Sequence, residues 1–317
     1  MEKRLAPIIL FTYNRPEHTQ KVLDALAENI LAKQSELFIF CDGPKNEKAV
    51  EKNRQTRNVV LAEQERKRFK NVSVIISEQN KGLARSIIGG VTQIIEKYGA
   101  CIVLEDDHIT SKSFISYMNN ALQFYEQNDR IWSISGFTYP LQYLKDYSHD
   151  IYLSYRACSH GWATWKDRWE LVDWEVKDYE QLKKSLSRIR RFNRGGNDLF
   201  RMLRHQMRGE RDSWAIRFCY SQSKHDMFTV YPRVSLINNI GFDGTGTHCP
   251  NKEKRIKNNF EPGYFEAMLE DIGPNRKIVK DFKRQYRVSI SEALLWVKEK
   301  LEDIRQSNHG KKRKFKN

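Results

Sequence analysis

Apolar and polar residues alternate along the first half of the chain in blocks that read as strands and helices in turn. Residues 7–12, PIILFT, are a short apolar run closed by Asn14-Arg15-Pro16. This suits a buried strand followed by a helix with proline in its first turn. That helix is expected over about His18 to Glu28, with Val22, Leu23, Leu26 and Ala27 on one face. Leu37 to Cys41 predicts a second strand, ended by Asp42-Gly43-Pro44, and Glu47 to Arg68 a solvated, highly charged helical segment. A third strand is expected over Asn71 to Ile76, a turn at Asn80-Lys81-Gly82, and a helix over Leu83 to Lys97. Within Gly99 to Thr110, GACIVLEDDHIT, four apolar residues after a glycine predict a buried fourth strand. A helix over about Ser113 to Gln127 and a strand at Ile131 to Ser135 complete a βαβαβαβαβ order. That order indicates an α/β fold with a mostly parallel central sheet and helices on both faces.

The second half loses this regularity. Strands are expected at Tyr152 to Arg156 and Phe228 to Tyr231, with an apolar-patterned segment at Ala215 to Tyr220. Trp162, Trp165, Trp169, Trp174 and Trp214 crowd between them, either as a core packing cluster or as a wall for a sugar ring. Residues 239–248, NIGFDGTGTH, form a glycine-rich loop without the GK[ST] of a phosphate-binding P-loop. Residues 277–305 predict a helix whose stripe is Ile290, Leu294, Val297, Leu301 and Ile304. The stripe suits docking on the domain, a partner helix, or a membrane surface.

Composition narrows the class. The chain of 317 residues holds one large domain or two smaller ones, and no apolar stretch is long enough to span a membrane. The first apolar run is too short for a secretory segment, so a cytoplasmic location is expected. Cys41, Cys101, Cys158, Cys219 and Cys249 are dispersed with no CxxC pair, which argues for reduced thiols and against a zinc knuckle. The formal net charge of +15 points to polyanionic partners. It concentrates between Lys183 and Arg211 and in the tail HGKKRKFKN at 309–317.

The chemistry centres on Glu105, Asp106 and Asp107, which follow the fourth strand directly. Ligands of open α/β sheets collect at the carboxyl ends of strands. Clustered carboxylates there repel one another unless a cation or donors compensate them. A divalent metal with hard oxygen ligands is one compensator; helix capping and solvation are the alternative.

Several short motifs occur in a fixed order: TYNRPEHTQKVLDAL at 12–26, CDG at 41–43, IVLEDDHITSKSF at 102–114, GWATWKDRW at 161–169, DSW at 212–214, and the glycine-rich loop before His248. Over about residues 7–250 the chain resembles GT-A fold glycosyltransferases, more narrowly the N-acetylglucosaminyltransferase I family and bacterial GT2-like sugar transferases. The resemblance implies a GT-A domain over 1–250, with a nucleotide-sugar half at 1–136 and an acceptor half at 137–250. A helical extension with a basic tail would occupy 251–317. It implies Mn2+ or Mg2+ held by Asp107 and His248, with Glu105 in support. The nucleotide sugar would meet Thr12, Arg15, Asp42, Arg85 and Asp106, and the acceptor Trp162, Trp165 and Trp214. Gly241, Gly244 and Gly246 would let the loop fold over the donor, with Asp243 beside phosphate-bound metal or the acceptor. Asp212 would be the base, with Glu210 and Asp173 as substitutes because Ser213 stands where the family has a second aspartate. Asp212 also suits an N-cap, and Arg85 an ordinary surface position.

The expectation is an inverting, metal-dependent transferase. It would move sugar from a nucleotide-diphosphate donor to a hydroxyl of a glycan or lipid-linked glycan, in cell-surface polysaccharide synthesis. The basic segments would bring it to the inner face of an anionic membrane. The rivals are a nucleotidyltransferase of related fold, although TYNRPEH lacks its glycine-rich loop, and a basic nucleic-acid-binding protein. No helix-turn-helix, zinc or RNP-like pattern supports the latter, so no nucleic-acid partner is expected.

Overall fold

A computed structural model describes residues 5–243 and 259–286. Expectations for Gly244, Gly246, His248, Cys249, the stripe from Ile290 to Ile304 and the basic tail lie outside the described residues.

The first half is built as its pattern dictates. Strands β1 (Ile8–Thr12), β2 (Glu36–Cys41), β3 (Asn71–Ile76) and β4 (Ala100–Glu105) alternate with helices α1 (Pro16–Ala27), α2 (Glu47–Glu65) and α3 (Leu83–Tyr98). A corner leads from β4 to β5 (His108–Thr110), then come α4 (Phe114–Phe124) and β6 (Ile131–Ser135). Every residue of β1 is buried, because β1 lies inside the sheet and both its faces are covered. Ile8 and Leu10 point into one core with Val22, Leu23 and Leu26 of α1 and Met118 of α4. Ile9 and Phe11 point into the other, with Ile87, Val91 and Ile94 of α3.

The second half supplies β7 (Ile151–Ser154), β8 (Trp162–Trp165), α5 (Lys166–Glu170), α6 (Tyr179–Lys184), α7 (Leu186–Phe192), α8 (Leu199–Met207) and α9 (Trp214–Lys224). Then come β9 (Phe228–Pro232), β10 (Ile237–Asn239) and α10 (Arg276–Arg284). Among the described residues, ten strands form an eight-stranded sheet, in order β3-β2-β1-β4-β8-β6-β9-β7, and a two-stranded ribbon of β5 and β10. The β3-β2-β1-β4 part is parallel throughout. Strand β6 does not extend this parallel run directly, because β8 enters antiparallel between β4 and β6. The sequence Trp162-Ala163-Thr164-Trp165 allows it: alternate residues fill the two cores, and all four are buried.

The basic segment 183–211 is broken rather than one helix, with Ser185 capping α7 through Arg188 N–H and Gly196 interrupting before α8 at φ +152°. Residues 259–275 form no helix or strand and return to the fold through scattered contacts. Tyr125 donates to the Glu270 carbonyl at 2.6 Å, and Phe260 bridges to Ser235. Asn275 caps α10, whose Ile278 and Phe282 enter the core beside Tyr152 and Tyr231. Tyr286 lies under the Arg156 guanidinium, 3.6 Å from ring centre, while Asp198 grips the same guanidinium with both oxygens. Cys41, Cys101, Cys158 and Cys219 are buried free thiols. Among the described residues no helix is long and apolar enough to cross a membrane.

Candidate active site

The parallel register sets Phe11 opposite Glu105, so the residues following β1 and β4 emerge at one carboxyl edge of the sheet. Pro16 starts α1 immediately, which holds Arg15 at the helix boundary. From there its Nη2 reaches both acids, donating to Asp106 Oδ1 and, at 3.0 Å, to Asp107 Oδ2. The side chains of all three are largely buried.

The charges in this corner do not balance. Burial and the repulsion of Asp107 and Asp106 push Glu105 up to about 8, so it is mostly protonated at neutral pH. Burial also raises Asp106, against the pull of Arg15. Burial works against an ionised Asp107 as well, but its cationic surroundings turn the balance and lower it. Arg15 would be lowered by its own burial, and the two aspartates outweigh this and raise it. Two buried atoms of this pair have no hydrogen-bond partner among the described residues, the Arg15 Nη1 donor and the Asp107 Oδ1 acceptor. Orphans of this kind are rare in folded proteins and cost free energy unless a ligand completes them.

Two histidines and an asparagine surround Asp107. The Glu105 N–H donates to His108 Nδ1 at 3.0 Å, closing the corner between β4 and β5. Burial pushes His108 down to about 3, so the ring is neutral near pH 7 and, with Nδ1 accepting from Glu105, its hydrogen sits on Nε2. Nε2 faces Asp107 Oδ1 at 3.3 Å, without hydrogen-bond alignment. His160 meets His108 edge-on, with ring centres 5.5 Å apart. Its Nδ1 accepts from Asn239 Nδ2 at 2.9 Å. Asn239 Oδ1 takes the Gly241 N–H at 2.8 Å, which fixes the amide's orientation.

The ribbon of β5 and β10 carries the glycine-rich loop to the acids. Ile240 N–H donates to the Asp107 carbonyl at 2.9 Å. A Cβ on Gly241 would fall 2.1 Å from Asp107 Oδ2, so only glycine lets the backbone approach this closely. Beyond it, Asp243 lies 3.1 Å from His18 Nε2.

No family model matches the chain, and no curated protein does. Distant solved structures do. Residues 1–349 of TarS from S. aureus are 12% identical, with 72% of this chain and 60% of that fragment covered and a TM-score of 0.40. The galactosyltransferase LgtC, solved with donor and acceptor sugar analogues, is 12% identical, with 56% and 65% covered and a TM-score of 0.35. The match thus spans less than two thirds of either relative, and the functional reading rests on the site itself.

Of the residues expected at the site, the structure unites Arg15, Asp106 and Asp107, with Glu105 behind them. Thr12 ends β1, its hydroxyl directed to the Phe40 carbonyl at 3.5 Å. Arg85 is exposed in the first turn of α3.

Asp42 needs correction. Its Oδ1 accepts from the Gly43 and Lys81 N–H groups, and its Oδ2 from Gly82 N–H and the Asn80 amide, all within 2.9–3.1 Å. A carboxylate offers about four lone-pair positions, so none is left for a nucleotide. Asp42 braces the turn before α3.

The tryptophan wall also needs correction. Trp162, Trp165 and Trp214 are each at most 4% exposed. Trp162 stacks on Trp214 at 4.9 Å and on Trp169 at 5.9 Å, while Trp165 donates to the Leu122 carbonyl. They are interior packing and present no face to a sugar ring.

Asp212 is exposed, with one oxygen held by Arg217 at 3.0 Å. It is not the cap of α9, because Ser213 accepts the Ile216 N–H. Glu210 is engaged by His205 and approached by Arg208, and Asp173 by the Glu175 and Lys177 N–H groups and Lys224.

His108, His160 and Asn239 were not singled out in the sequence. The signal available was a histidine directly after the acidic triplet, in the closing position of a tight corner.

The fit of a metal can be judged from Asp107. Among the described residues no group of three or more His, Cys, Asp or Glu is arranged to hold one. The described residues by themselves therefore do not close a protein cage around a metal. A hard cation held by one or two carboxylates and completed by phosphate oxygens and water does fit, because Asp107 Oδ1 is buried without a hydrogen-bond partner.

Proposed function

We propose that the chain is an inverting GT-A glycosyltransferase, taking a nucleotide-diphosphate sugar as donor and a hydroxyl of a glycan or lipid-linked glycan as acceptor. The observation that carries this reading is the pair of buried orphans, Arg15 Nη1 and Asp107 Oδ1, at the carboxyl edge of a parallel sheet. A guanidinium donor and a carboxylate acceptor left without partners in one corner suit a phosphate oxygen and the cation that accompanies it.

Asp107 would hold the Mn2+ or Mg2+, together with the donor's phosphates. The bound cation supplies Lewis-acid stabilisation of the departing diphosphate. Arg15 turns its free Nη1 to a phosphate oxygen while Nη2 keeps the aspartates in place. Asp106 orients the ribose or the sugar. Glu105, protonated beneath them, limits the repulsion that three ionised acids would impose. Arg85, exposed past the turn that Asp42 braces, flanks the nucleotide.

Asp212 is the base that takes the acceptor proton during in-line attack. Supporting this, it is exposed and precedes Trp214 by two residues. Trp214 stacks on Trp162, which pairs with Val103 of the acid-bearing strand. Contact with the inner face of an anionic membrane and a place in cell-surface polysaccharide synthesis complete the proposal. Lys184, Arg190 and Arg191 support it, being exposed around Leu186, itself 59% exposed.

The test is a thermal-shift screen of nucleotide sugars with and without Mn2+. One donor should raise the melting temperature only with the metal, and Asp107→Ala should abolish that rise. Shifts equal in wild type and variant, or none with any donor, would defeat the reading.

A further inference from the structure

Besides Arg15, three groups hold Asp107. Its carbonyl accepts the Ile240 N–H at 2.9 Å. Its Oδ1 faces His108 Nε2 at 3.3 Å. Its Oδ2 packs so closely on Gly241 that a Cβ there would lie 2.1 Å away. The last segment, residues 239–241, leaves β10 and is fastened at its other end by Asn239, which reaches His160 at 2.9 Å. His160 in turn packs edge-on against His108 at 5.5 Å. A closed circuit results: Asp107, His108, His160, Asn239, Gly241 and back to Asp107.

We infer that His108, His160 and Asn239 are positioning residues that make the seating of residues 239–241 and the orientation of the Asp107 carboxylate a single event. His108 cannot turn without releasing Glu105 N–H, because its Nδ1 is the acceptor there. His160 cannot withdraw without stranding the Asn239 amide, whose oxygen holds Gly241. Swinging the loop away would remove the Ile240 donor and the Gly241 backbone from Asp107 together. The chain thus makes its metal-facing carboxylate ready only when the loop beside the donor site is in place. This rests on the proposed function for its purpose, though the coupling is a property of the ligand-free protein.

Three variants separate the contributions. His108→Asn keeps an acceptor near Nδ1 and loses the group facing Asp107. His108→Gln does the reverse. Asn239→Ala cuts the circuit at the loop, where the side chain is only half-buried. The first measurement is amide hydrogen exchange on the ligand-free protein. His108→Asn should speed exchange at Ile240 and Gly241 by about tenfold, with β1 and β2 unchanged. Unchanged exchange at both amides in His108→Asn and in His108→Gln would overturn the inference. The second is titration of MnCl2 with UDP, GDP, CDP, ADP and dTDP in turn. For the nucleotide that wild type binds, each single variant should bind about tenfold more weakly. The His108→Asn/Asn239→Ala double variant should be no weaker than the poorer single one. Strictly additive losses would overturn the coupling. If exchange responds as expected and wild type binds no nucleotide with Mn2+, the coupling stands and the proposed function falls.

Discussion

The carboxyl ends of β2 and β4 each offer an aspartate at the same edge of the sheet, and the two are used oppositely. Asp42 receives four hydrogen bonds from Gly43, Asn80, Lys81 and Gly82 and is closed to any further partner. Asp107 is also largely buried, yet its Oδ1 receives none among the described residues. Residue type and position after a strand do not distinguish them. What does is whether the local backbone turns its N–H groups inward. Around Asp42 the turn before α3 does so, and the carboxylate serves as a structural brace. Around Asp107 the nearest donors are shared with Asp106 or misaligned, and the acceptor is held open at a cost in stability.

The sharpest way to break this contrast is to remove each acid in turn. Asp107→Ala should reduce sugar transfer by about a hundredfold or more. Its urea midpoint should stay near that of wild type, because an unsatisfied acceptor goes with it. Asp42→Asn should show the reverse pattern. Placing an amide NH2 against N–H donors strands buried groups and should destabilise the fold by about 1–3 kcal/mol in urea unfolding. Its kcat, measured on folded protein, should change far less than that of Asp107→Ala. Equal catalytic losses in both would erase the distinction.

A smaller effect is expected from Gly241→Ala. The added methyl must displace the loop from Asp107 Oδ2. The donor KM should rise by about tenfold, with thermal stability little changed. Smallest is the pH dependence of the empty site. Glu105 has its pKa raised in the folded chain, from an ordinary 4.5 to about 8. The folded state therefore holds a proton that the unfolded state releases between these values. This contribution to stability is fully present below pH 4.5 and is lost as pH rises through about 8. Melting temperatures in EDTA should fall over that window, and Glu105→Gln should flatten the fall. A wild-type slope unchanged in the variant would remove Glu105 as its source.

Much of the first half was legible because periodicity alone fixes alternating strands and helices and hence which residues share an edge. Arg15, Asp106 and Asp107 follow from that: each lies just past a strand, and the parallel register does the rest. Asp42 was misjudged because its partners lie 38–40 residues later, in a turn that only the folded chain brings back. The tryptophans were ambiguous for a different reason. An indole suits a core and a sugar platform equally well, and burial is settled by α9 and β8, which no local pattern places together. The insertion of β8 between β4 and β6 is likewise a long-range pairing, invisible to a reading in chain order. His108 and His160 were missed because their significance lies in facing one another across two separate strand ends.

The stacked indoles have a use of their own. Trp162 is tilted by 24° and 25° from Trp169 and Trp214, at ring separations short enough for their electronic transitions to mix. Such coupled chromophores give a paired band of opposite signs in circular dichroism, separate from the helical signal. The three residues come from β8, α5 and α9, so the couplet exists only when these elements are docked. Its amplitude during refolding would time the closure of the second half on the sheet, with no label added to the chain.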